Sequence, residues 1–513
     1  MLTGLILTDT KRVADLLAEK QSKVKNVIEL YISECSSYIN WVLVDVSDSM
    51  YNDVNKSDWL VCSNILNDYY YGLGLQETRN CPLFIIGGND VIPMPLVDNP
   101  IWFGGTSLYS DMLYCFERKN DFSLENLIAD KPRFAVGRFP IAEEYAIDTL
   151  QEYLADCAAF TKNGIHVRGA VMTTTESWFR ASKEMMKDIP TTILSPDYVP
   201  LNERMVVSPL LDTSYEDMYD DYVHELKKVD FLVCNLHGSD DLDVPFFIGE
   251  DHSKKIHPVA IQPSMLQRTC PLIFNTVACF GARYMGYAME DSMLLTAMAF
   301  GTILYCGACD SSLGGCDEEG NSVVGNSELM MKLYNIYLHK GMPAGLALLK
   351  AKQDYYRTCH NEDGDENAMF TILEFNLFGC PLLSMQPKIE ENYRPTLLGN
   401  QIMEKQKVTY QPKSAKPIFN SAYLADDIHA YVRDLVDDNL RVIRQKVEKE
   451  VYQRLGLGKE NLQRVYILSQ TNYQMGYQFV YRRSSQESYR QIDLYYLVNT
   501  DTQGKITKII HTK

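Results

Sequence analysis

The sequence has no apolar run long enough to cross a bilayer, because none reaches the roughly 18 residues that a spanning helix needs. Its first residues contain no basic region ahead of their short apolar run, so they do not resemble a secretory signal. We therefore expect a cytoplasmic location and no membrane partner.

Internal repeats and low-complexity tracts are absent as well, and 513 residues are enough for several packed domains at about 150 residues each.

Positive charge is scarce in this chain. It has 49 lysine and arginine residues against 67 aspartate and glutamate residues, which gives a net charge of -18. Such an acidic surface opposes non-specific binding to phosphate backbones. We therefore expect no nucleic-acid partner.

The cysteines do not follow the pattern of a disulfide framework. There are 13 of them, an odd number, and several lie inside apolar runs, as at Cys62, Cys157 and Cys234. This pattern indicates reduced thiols in the core. It agrees with a reducing compartment.

Helix-like and strand-like stretches alternate through most of the chain. The apolar runs among them, such as the one from Pro82 to Gly88, are short and bounded by polar or turn residues. Strands of this kind are typical of a parallel sheet that is covered on both faces. The alternation predicts an α/β fold, with an N-terminal subdomain over residues 1–165 and a second subdomain over residues 166–388.

The composition changes beyond the second subdomain. Residues 389–420 are polar, with scattered proline and lysine, and indicate a linker. Residues 421–455 carry apolar side chains at approximately helical spacing, and Gly456 stops the predicted helix. Three β-like runs follow, so we expect a small α+β roll over residues 421–513.

Two predicted strands of the second subdomain end in chemically active side chains. One runs from Phe231 to His237 and Gly238, and the other from Leu272 to Cys279. Functional groups gather where parallel strands end, so neighbouring strands would place His237 and Cys279 side by side. A thiol beside an imidazole is a nucleophile with its base. The simpler interpretation is a core histidine and one more buried cysteine.

Two backbone amides beside this pair suit acyl transfer. Gly238 would let the backbone approach a substrate closely, because it has no side chain. Its N–H and that of Cys279 would then form an oxyanion hole. Donors of this kind are commonly worth about 3 kcal/mol each.

Six short motifs occur in an order that resembles the gingipain-like cysteine peptidases, a branch of the caspase-fold clan. The motifs are Phe84–Gly88 with Ile92–Pro93, Ser110–Asp111 with Tyr114, Val136–Phe139, Asn235–Gly238, Phe274–Cys279 and Asn376–Pro381. The resemblance implies a caspase-like three-layer α/β fold with two side-by-side subdomains, of which the second is catalytic. It implies His237 and Cys279 as the catalytic dyad and Glu176 as an acidic residue near the histidine. The chain departs from the family at Cys380, where an aspartate is expected.

Glu176 directly follows the first predicted strand of the second subdomain, and two roles are open to it. Its carboxylate could accept a hydrogen bond from His237 and fix the tautomer of the ring. It could equally interact with the dipole at the start of a helix.

Several residues are candidates for the substrate pocket. Asp240, Asp241 and Asp243 follow the His-Gly motif, and Asp310 ends a neighbouring strand. A desolvated carboxylate at any of these positions would pair with a basic P1 side chain of the substrate. A solvated acidic loop is the simpler interpretation. Two more candidates lie two residues before a catalytic group and share its side of the strand, since strand side chains alternate. They are Asn235 and Val277.

Cys306 and Cys309 form a C-x-x-C pattern, which is found in redox pairs and in halves of zinc sites. No second such pair completes a zinc site, and the pattern ends a strand instead of opening a helix. A thiol–disulfide enzyme centred on these two cysteines is therefore one hypothesis for the function. We expect no metal site.

Two acidic loops, Cys316–Gly320 and His360–Glu366, have ligands that suit calcium. Exposed loops without an ion, which could be sites of self-cleavage, are the simpler interpretation. We therefore expect no cofactor.

The sequence as a whole predicts a cysteine endopeptidase. It would cleave protein substrates through a Cys-His dyad and a thioester acyl-enzyme, with a preference for basic P1 residues. The alternative is a non-catalytic protein with a peptidase fold, which works through its C-terminal domain. In either case that domain is a candidate site for a regulatory protein partner.

Overall fold

A computed structural model describes the chain from residue 2 to residue 512, apart from several segments. The segments left out are residues 49–56, 76–77, 102–106, 118–121, 130, 188, 190, 195–225, 228, 240–246, 251–258, 270, 318–320, 360–364, 386–437, 471–472 and 488–489. The chain divides into two compact units. The first comprises residues 1–312 and 326–400, and the second comprises residues 313–325 and 401–513.

The described residues form twenty β-strands, numbered in chain order. They are β1 (Leu2–Thr8), β2 (Ile39–Asp45), β3 (Cys81–Ile86), β4 (Leu96–Asp98), β5 (Ser107–Tyr109), β6 (Phe134–Phe139), β7 (Ala170–Thr174), β8 (Thr192–Leu194), β9 (Phe231–Asn235), β10 (Phe247–Ile248), β11 (Val259–Ile261), β12 (Ile273–Thr276), β13 (Leu304–Ala308), β14 (Leu313–Cys316), β15 (Ser322–Val323), β16 (Phe375–Gly379), β17 (Leu462–Gln470), β18 (Tyr473–Glu487), β19 (Arg490–Asp501) and β20 (Ile506–Thr512).

Twelve α-helices occur in the same described residues. They are α1 (Thr10–Leu16), α2 (Gln21–Cys35), α3 (Trp59–Gly72), α4 (Leu124–Ile128), α5 (Ile147–Asn163), α6 (Phe179–Met185), α7 (Pro263–Thr269), α8 (Met293–Ala299), α9 (Asn326–His339), α10 (Ala344–Cys359), α11 (Asp365–Glu374) and α12 (Asp438–Leu455). At the N-termini of several of these helices, a side chain accepts a hydrogen bond from a backbone amide. At α1, for example, the carboxylate of Asp9 accepts the amide of Arg12, which satisfies an N–H that the helix itself leaves open.

Ten strands form one large sheet in the first unit, in the order β2-β1-β3-β6-β16-β13-β12-β9-β7-β8. Neighbouring strands are parallel except at β13 and β16, which are antiparallel. The sheet therefore has two parallel five-stranded halves that run in opposite directions. This arrangement confirms the predicted α/β class with a large, mostly parallel sheet.

The strands near the middle of the sheet have no solvent side. Every residue of β3, β9, β12 and β13 is buried. Continuous apolar runs produce this burial, since a parallel strand covered on both faces needs apolar residues at successive positions. The same runs carry the chain to the candidate site, because β9 and β12 lead directly into it.

Two features differ from the predicted division into subdomains. β16, from the end of the second predicted subdomain, is the innermost strand of the first half of the sheet, where it pairs in parallel with β6. The two predicted subdomains thus share one continuous sheet and one compact unit. Residues 313–325 were expected in the catalytic subdomain, but they belong to the second unit because β14 pairs with β20.

A buried ion pair supports the first half of the sheet. The guanidinium of Arg138, on β6, is fully buried and donates to both carboxylate oxygens of Asp111, at 2.7 and 2.6 Å. It also donates to the carbonyl oxygens of Gly87 and Ile92. The charge is therefore paired and hydrogen-bonded, as a buried arginine requires.

Lys352, on α10, is a second buried cation. Its side chain is only 3% exposed, and its Nζ donates to the carbonyl oxygen of Phe375 at 2.8 Å. Burial disfavours the charged form and lowers the pKa of Lys352 to about 8.

We expect Lys352→Met to remove a rise in stability with pH. The unfolded chain holds the Lys352 proton up to a pKa of 10.5, whereas the folded chain releases it above about 8. The wild type therefore gains about 3 kcal/mol of unfolding free energy across this window, relative to the variant. Urea unfolding of both proteins at the two ends of the window measures the change. A difference between the proteins that does not vary with pH would contradict the expectation.

The second unit combines one helix with an antiparallel sheet. Its six strands have the order β15-β14-β20-β19-β18-β17. Val447, Val451 and Leu455 lie at four-residue intervals on α12 and belong to one buried cluster with side chains of the sheet. The predicted α+β fold of this region is confirmed. The predicted linker, and the predicted helix before residue 438, lie outside the described residues.

Among the residues that the structure describes, no helix combines the length and the apolarity needed to cross a bilayer.

Candidate active site

The candidate site lies where β9 and β12 end. These strands are parallel neighbours, with Cys234 opposite Thr276, and the amide of Val277 donates to the carbonyl oxygen of Cys234 at 2.9 Å. His237 and Cys279 each lie three residues beyond that registered pair. The segments that follow β9 and β12 therefore leave the sheet at the same level.

Gly238 lies directly against the backbone of Cys279. A Cβ atom at residue 238 would be 1.8 Å from the carbonyl oxygen of Cys279 and 3.2 Å from its amide nitrogen. Only glycine allows this approach, because any side chain would force the backbones apart. The structure thus brings the backbones of Gly238 and Cys279 together; their proposed role as an oxyanion hole stays a prediction.

The imidazole of His237 contacts a buried carboxylate. Its Nε2 lies 3.1 Å from Oε2 of Glu250, and both side chains are 2% exposed. A β-bridge places the glutamate there: His237 and Ile248 exchange two backbone hydrogen bonds of 2.9 Å, and Glu250 follows two residues later. Because a carboxylate accepts, Nε2 is the protonated ring nitrogen in this contact.

The other oxygen of the Glu250 carboxylate is also engaged. The hydroxyl of Ser177 donates to Oε1, and the amide of Ser177 donates to the backbone carbonyl of Glu250 at 3.3 Å. Thr175 supports this turn through an Oγ1–Oγ contact of 3.1 Å with Ser177. The carboxylate is therefore held at both oxygens, which fixes its orientation toward the histidine.

Trp178 packs against the ring of His237. The ring centroids are 4.3 Å apart and the planes meet at 62°, an edge-on arrangement. The indole is buried, and the amide of Trp178 donates to Oγ1 of Thr175 at 3.0 Å. This contact limits rotation of the imidazole.

Neither Glu250 nor Trp178 was predicted as a site residue. The structure gives the Nε2 contact to Glu250, where the sequence pointed to Glu176. Glu176 is partly exposed and its carbonyl accepts the amide of Phe179 in the turn that leads into α6. The one sequence signal for Glu250 is the apolar pair of β10 before it, which is too short to stand out as a strand.

The backbone of Ser312 lies against the sulfur of Cys279. The amide of Ser312 donates to Sγ at 3.1 Å, and Sγ lies 3.7 Å from the carbonyl oxygen of the same residue. Cys279 is 4% exposed. A backbone N–H directed at sulfur stabilises negative charge on it.

The turn after the cysteine is strained. Phe280 has φ +55°, in the left-handed region that L residues rarely occupy, and its amide donates to the carbonyl oxygen of Asp310 at 2.8 Å. Such a conformation costs about 1–3 kcal/mol and persists only where its surroundings impose it. Residues of this kind cluster at functional sites.

The predicted pocket residues lie in different surroundings. Asn235 is fully buried, and its amide donates to the hydroxyl of Ser182, on α6, at 2.8 Å. It anchors a helix instead of lining an open pocket, and Val277 is fully buried as well. Asp310 is buried, with Oδ1 accepting the amide of Ser311. The third group of candidates, Asp240, Asp241 and Asp243, lies outside the described residues.

The surroundings of Cys306 and Cys309 disfavour a redox role. Both thiols are buried, and burial raises the pKa of Cys306 to about 12 and raises that of Cys309 as well. The thiolate is the reactive form, so these thiols are poor nucleophiles.

In the described part of the chain no cluster of three or more metal-ligating side chains was found. Parts of both acidic loops proposed for calcium lie outside it.

Comparisons with known proteins give little further information. No protein-family model matches the sequence, and no curated protein matches it. A solved structure described as "Structure of Protease" is similar at a TM-score of 0.48 and 10% identity, over 100% of this chain and 97% of that chain. The resemblance to gingipain-like peptidases therefore stays a prediction.

Proposed function

We propose that the protein is a cysteine endopeptidase with Cys279 as nucleophile, His237 as general base and acid, and Glu250 as the residue that orients the histidine. The observation that carries this proposal is the buried contact between His237 and Glu250 beside the backbone of Cys279. A nucleophile, a base and a group that orients the base form the arrangement required for acyl transfer.

The tautomer of His237 assigns the proton transfers. Glu250 accepts from Nε2, so Nδ1 is the nitrogen that takes the proton of the Cys279 thiol. Sγ attacks the carbonyl carbon of the scissile peptide, and the oxygen becomes an oxyanion that the amides of Gly238 and Cys279 stabilise. His237 then gives its proton to the leaving amine, which leaves a thioester. Water, deprotonated by His237, hydrolyses the thioester and restores the thiol.

The Glu250 carboxylate contributes through charge as well as position. When His237 accepts a proton it becomes an imidazolium ion in a site that excludes water. A carboxylate 3.1 Å away stabilises that ion, and its interaction is stronger in a buried site than in solvent. Glu250 therefore stabilises the transition state, in which the histidine is charged.

The substrates would be proteins or peptides. A preference for basic P1 residues remains part of the proposal, supported by the buried Asp310 in the turn that contacts Phe280, the residue after the nucleophile. A cationic side chain near this carboxylate would gain from charge pairing in a desolvated pocket.

A covalent peptide probe tests the proposal. We expect a peptidyl acyloxymethyl ketone to label wild-type protein at Cys279, as read from intact mass and peptide mapping. His237→Ala should lower the labelling rate by about 100-fold, the usual contribution of a general base. Absence of labelling in folded protein would favour the alternative, a peptidase fold that works as a binding scaffold. Profiling a peptide library with the active protein then measures the P1 preference.

A further inference from the structure

Two consecutive residues of the turn between β7 and α6 contact the two members of the His237–Glu250 pair. Ser177 donates its hydroxyl to Oε1 of Glu250, and Trp178 packs edge-on against the ring of His237. The opposite oxygen of the carboxylate, Oε2, lies 3.1 Å from Nε2 of the histidine. One short segment of the chain therefore contacts both the candidate base and the residue that orients it.

The hydroxyl hydrogens of this turn can be assigned from their partners. An ionised carboxylate only accepts, so Ser177 Oγ and His237 Nε2 both donate to Glu250. The one hydrogen of the Ser177 hydroxyl is then used, and in its 3.1 Å contact with Thr175 it accepts. Oγ1 of Thr175 accepts the amide of Trp178 at 3.0 Å, which leaves its hydrogen for Ser177. A chain of hydrogen bonds thus runs from Thr175 through Ser177 to Glu250.

Backbone hydrogen bonds hold the turn independently of these hydroxyls. The amide of Thr175 donates to the carbonyl oxygen of Asn235, on β9, at 3.3 Å. The amide of Ser177 donates to the carbonyl oxygen of Glu250, also at 3.3 Å. Removal of the Ser177 hydroxyl would leave both of these bonds in place. It would act on the carboxylate alone, whose last torsion has only a broad intrinsic preference.

We propose that Ser177 is a positioning residue, whose hydroxyl holds the Glu250 carboxylate in the orientation that keeps the Nε2 hydrogen bond of His237. Hydrogen bonds to an ionised group are the strong ones, so this single donor has a large effect on that orientation. Thr175 supports it, because a hydroxyl that accepts a hydrogen bond becomes a better donor. The effect on peptide cleavage rests on the proposed function, whereas the effect on the His237–Glu250 hydrogen bond does not.

Proton NMR tests the hydrogen bond directly. A histidine proton donated to a carboxylate resonates far downfield, and we expect the wild type to show such a signal, which His237→Ala lacks. In Ser177→Ala its exchange with solvent should be about tenfold faster, since loss of a hydrogen bond to a charged group favours the opened contact by about that factor. Ser177→Thr keeps the hydroxyl and should restore the wild-type rate.

Ser182→Ala is the matched control. Ser182 lies on α6 and is fully buried, and its hydroxyl contacts Oγ1 of Thr174 at 2.6 Å and the amide of Asn235 at 2.8 Å instead of Glu250. We expect the wild-type exchange rate in this variant. Absence of the downfield signal in the wild type, or equal exchange rates in Ser177→Ala and Ser182→Ala, would overturn the proposal.

Kinetics of a double variant show whether Ser177 acts through Glu250. Ser177→Ala alone is expected to lower kcat about tenfold with KM within about twofold of wild type. In a Glu250→Ala background the same change should lower kcat by less than about twofold, because the side chain that Ser177 positions is already absent. Equal losses in the two backgrounds would contradict the proposal.

The exchange measurement separates the positioning role from the proposed function. The proton signal can be followed in a protein that cleaves no peptide. Faster exchange in Ser177→Ala without peptide cleavage by the wild type would support the role of Ser177 and contradict the peptidase. Peptide cleavage with equal exchange rates in Ser177→Ala and the wild type would do the reverse.

Discussion

Replacing Cys279 by alanine is expected to abolish peptide cleavage, with a loss in kcat/KM of about 10⁴-fold or more. The thioester cannot form without the sulfur, and the remaining donors of the site can only stabilise attack by water. Hydrolysis of a fluorogenic peptide, at enzyme concentrations confirmed by circular dichroism and mass, measures the loss.

Cys309→Ala is the matched control for this experiment. Cys309 is as buried as Cys279, at 4% exposure, and lies just before Asp310, whose carbonyl accepts the amide of Phe280, the residue after Cys279. Its thiol has a raised pKa, so we expect its removal to change kcat/KM by less than about fivefold. The opposite result, in which Cys309→Ala is inactive and Cys279→Ala is active, would support the thiol–disulfide hypothesis.

Glu250→Gln is expected to lower kcat by about 100-fold while KM stays within about threefold of wild type. Glutamine keeps the size of the side chain and an oxygen that accepts from Nε2 of His237, but it removes the negative charge. The loss falls on kcat because the imidazolium ion forms in the transition state and not in the free enzyme. Steady-state kinetics on one peptide substrate separates the two constants.

Glu176→Gln provides the comparison, since Glu176 is the acidic residue that the family resemblance implied near the histidine. It is partly exposed in the turn before α6, and we expect kcat to stay within about threefold of wild type. Equal losses in both variants would mean that the charge near His237 is shared between them. A loss in Glu176→Gln alone would return the orienting role to that residue.

The positions of His237 and Cys279 at the ends of two neighbouring strands could be predicted because local patterns determine them. The runs that end at Asn235 and Thr276 begin with apolar residues and are short, as in strands covered on both faces, and every residue of β9 and β12 is buried. Parallel strands of this kind present their ends at one edge of the sheet. The glycine after His237 was expected to let the backbone approach a substrate; in the structure its backbone lies against that of Cys279, a contact that the sequence did not indicate.

Glu250 could not be predicted because its position depends on a long-range bridge. The bridge consists of two hydrogen bonds between His237 and Ile248, in a strand of two residues that gives no periodic signal. The placement of β14 was hidden for a similar reason. Leu313–Cys316 follows β9, β12 and β13 in sequence, and only its pairing with residues near 510 shows that it belongs to the C-terminal unit.

The antiparallel junction at the middle of the large sheet has a consequence for how the chain folds. β16 separates β6 from β13, yet it is made more than 200 residues after β6 and about 70 residues after β13. Until residues 375–379 leave the ribosome, both halves of the sheet have an unpaired inner edge, which is a hazard for aggregation. The chain therefore completes its central sheet late in synthesis, and a fragment that ends before residue 375 contains both strands that bear the candidate dyad but not the strand that joins the halves.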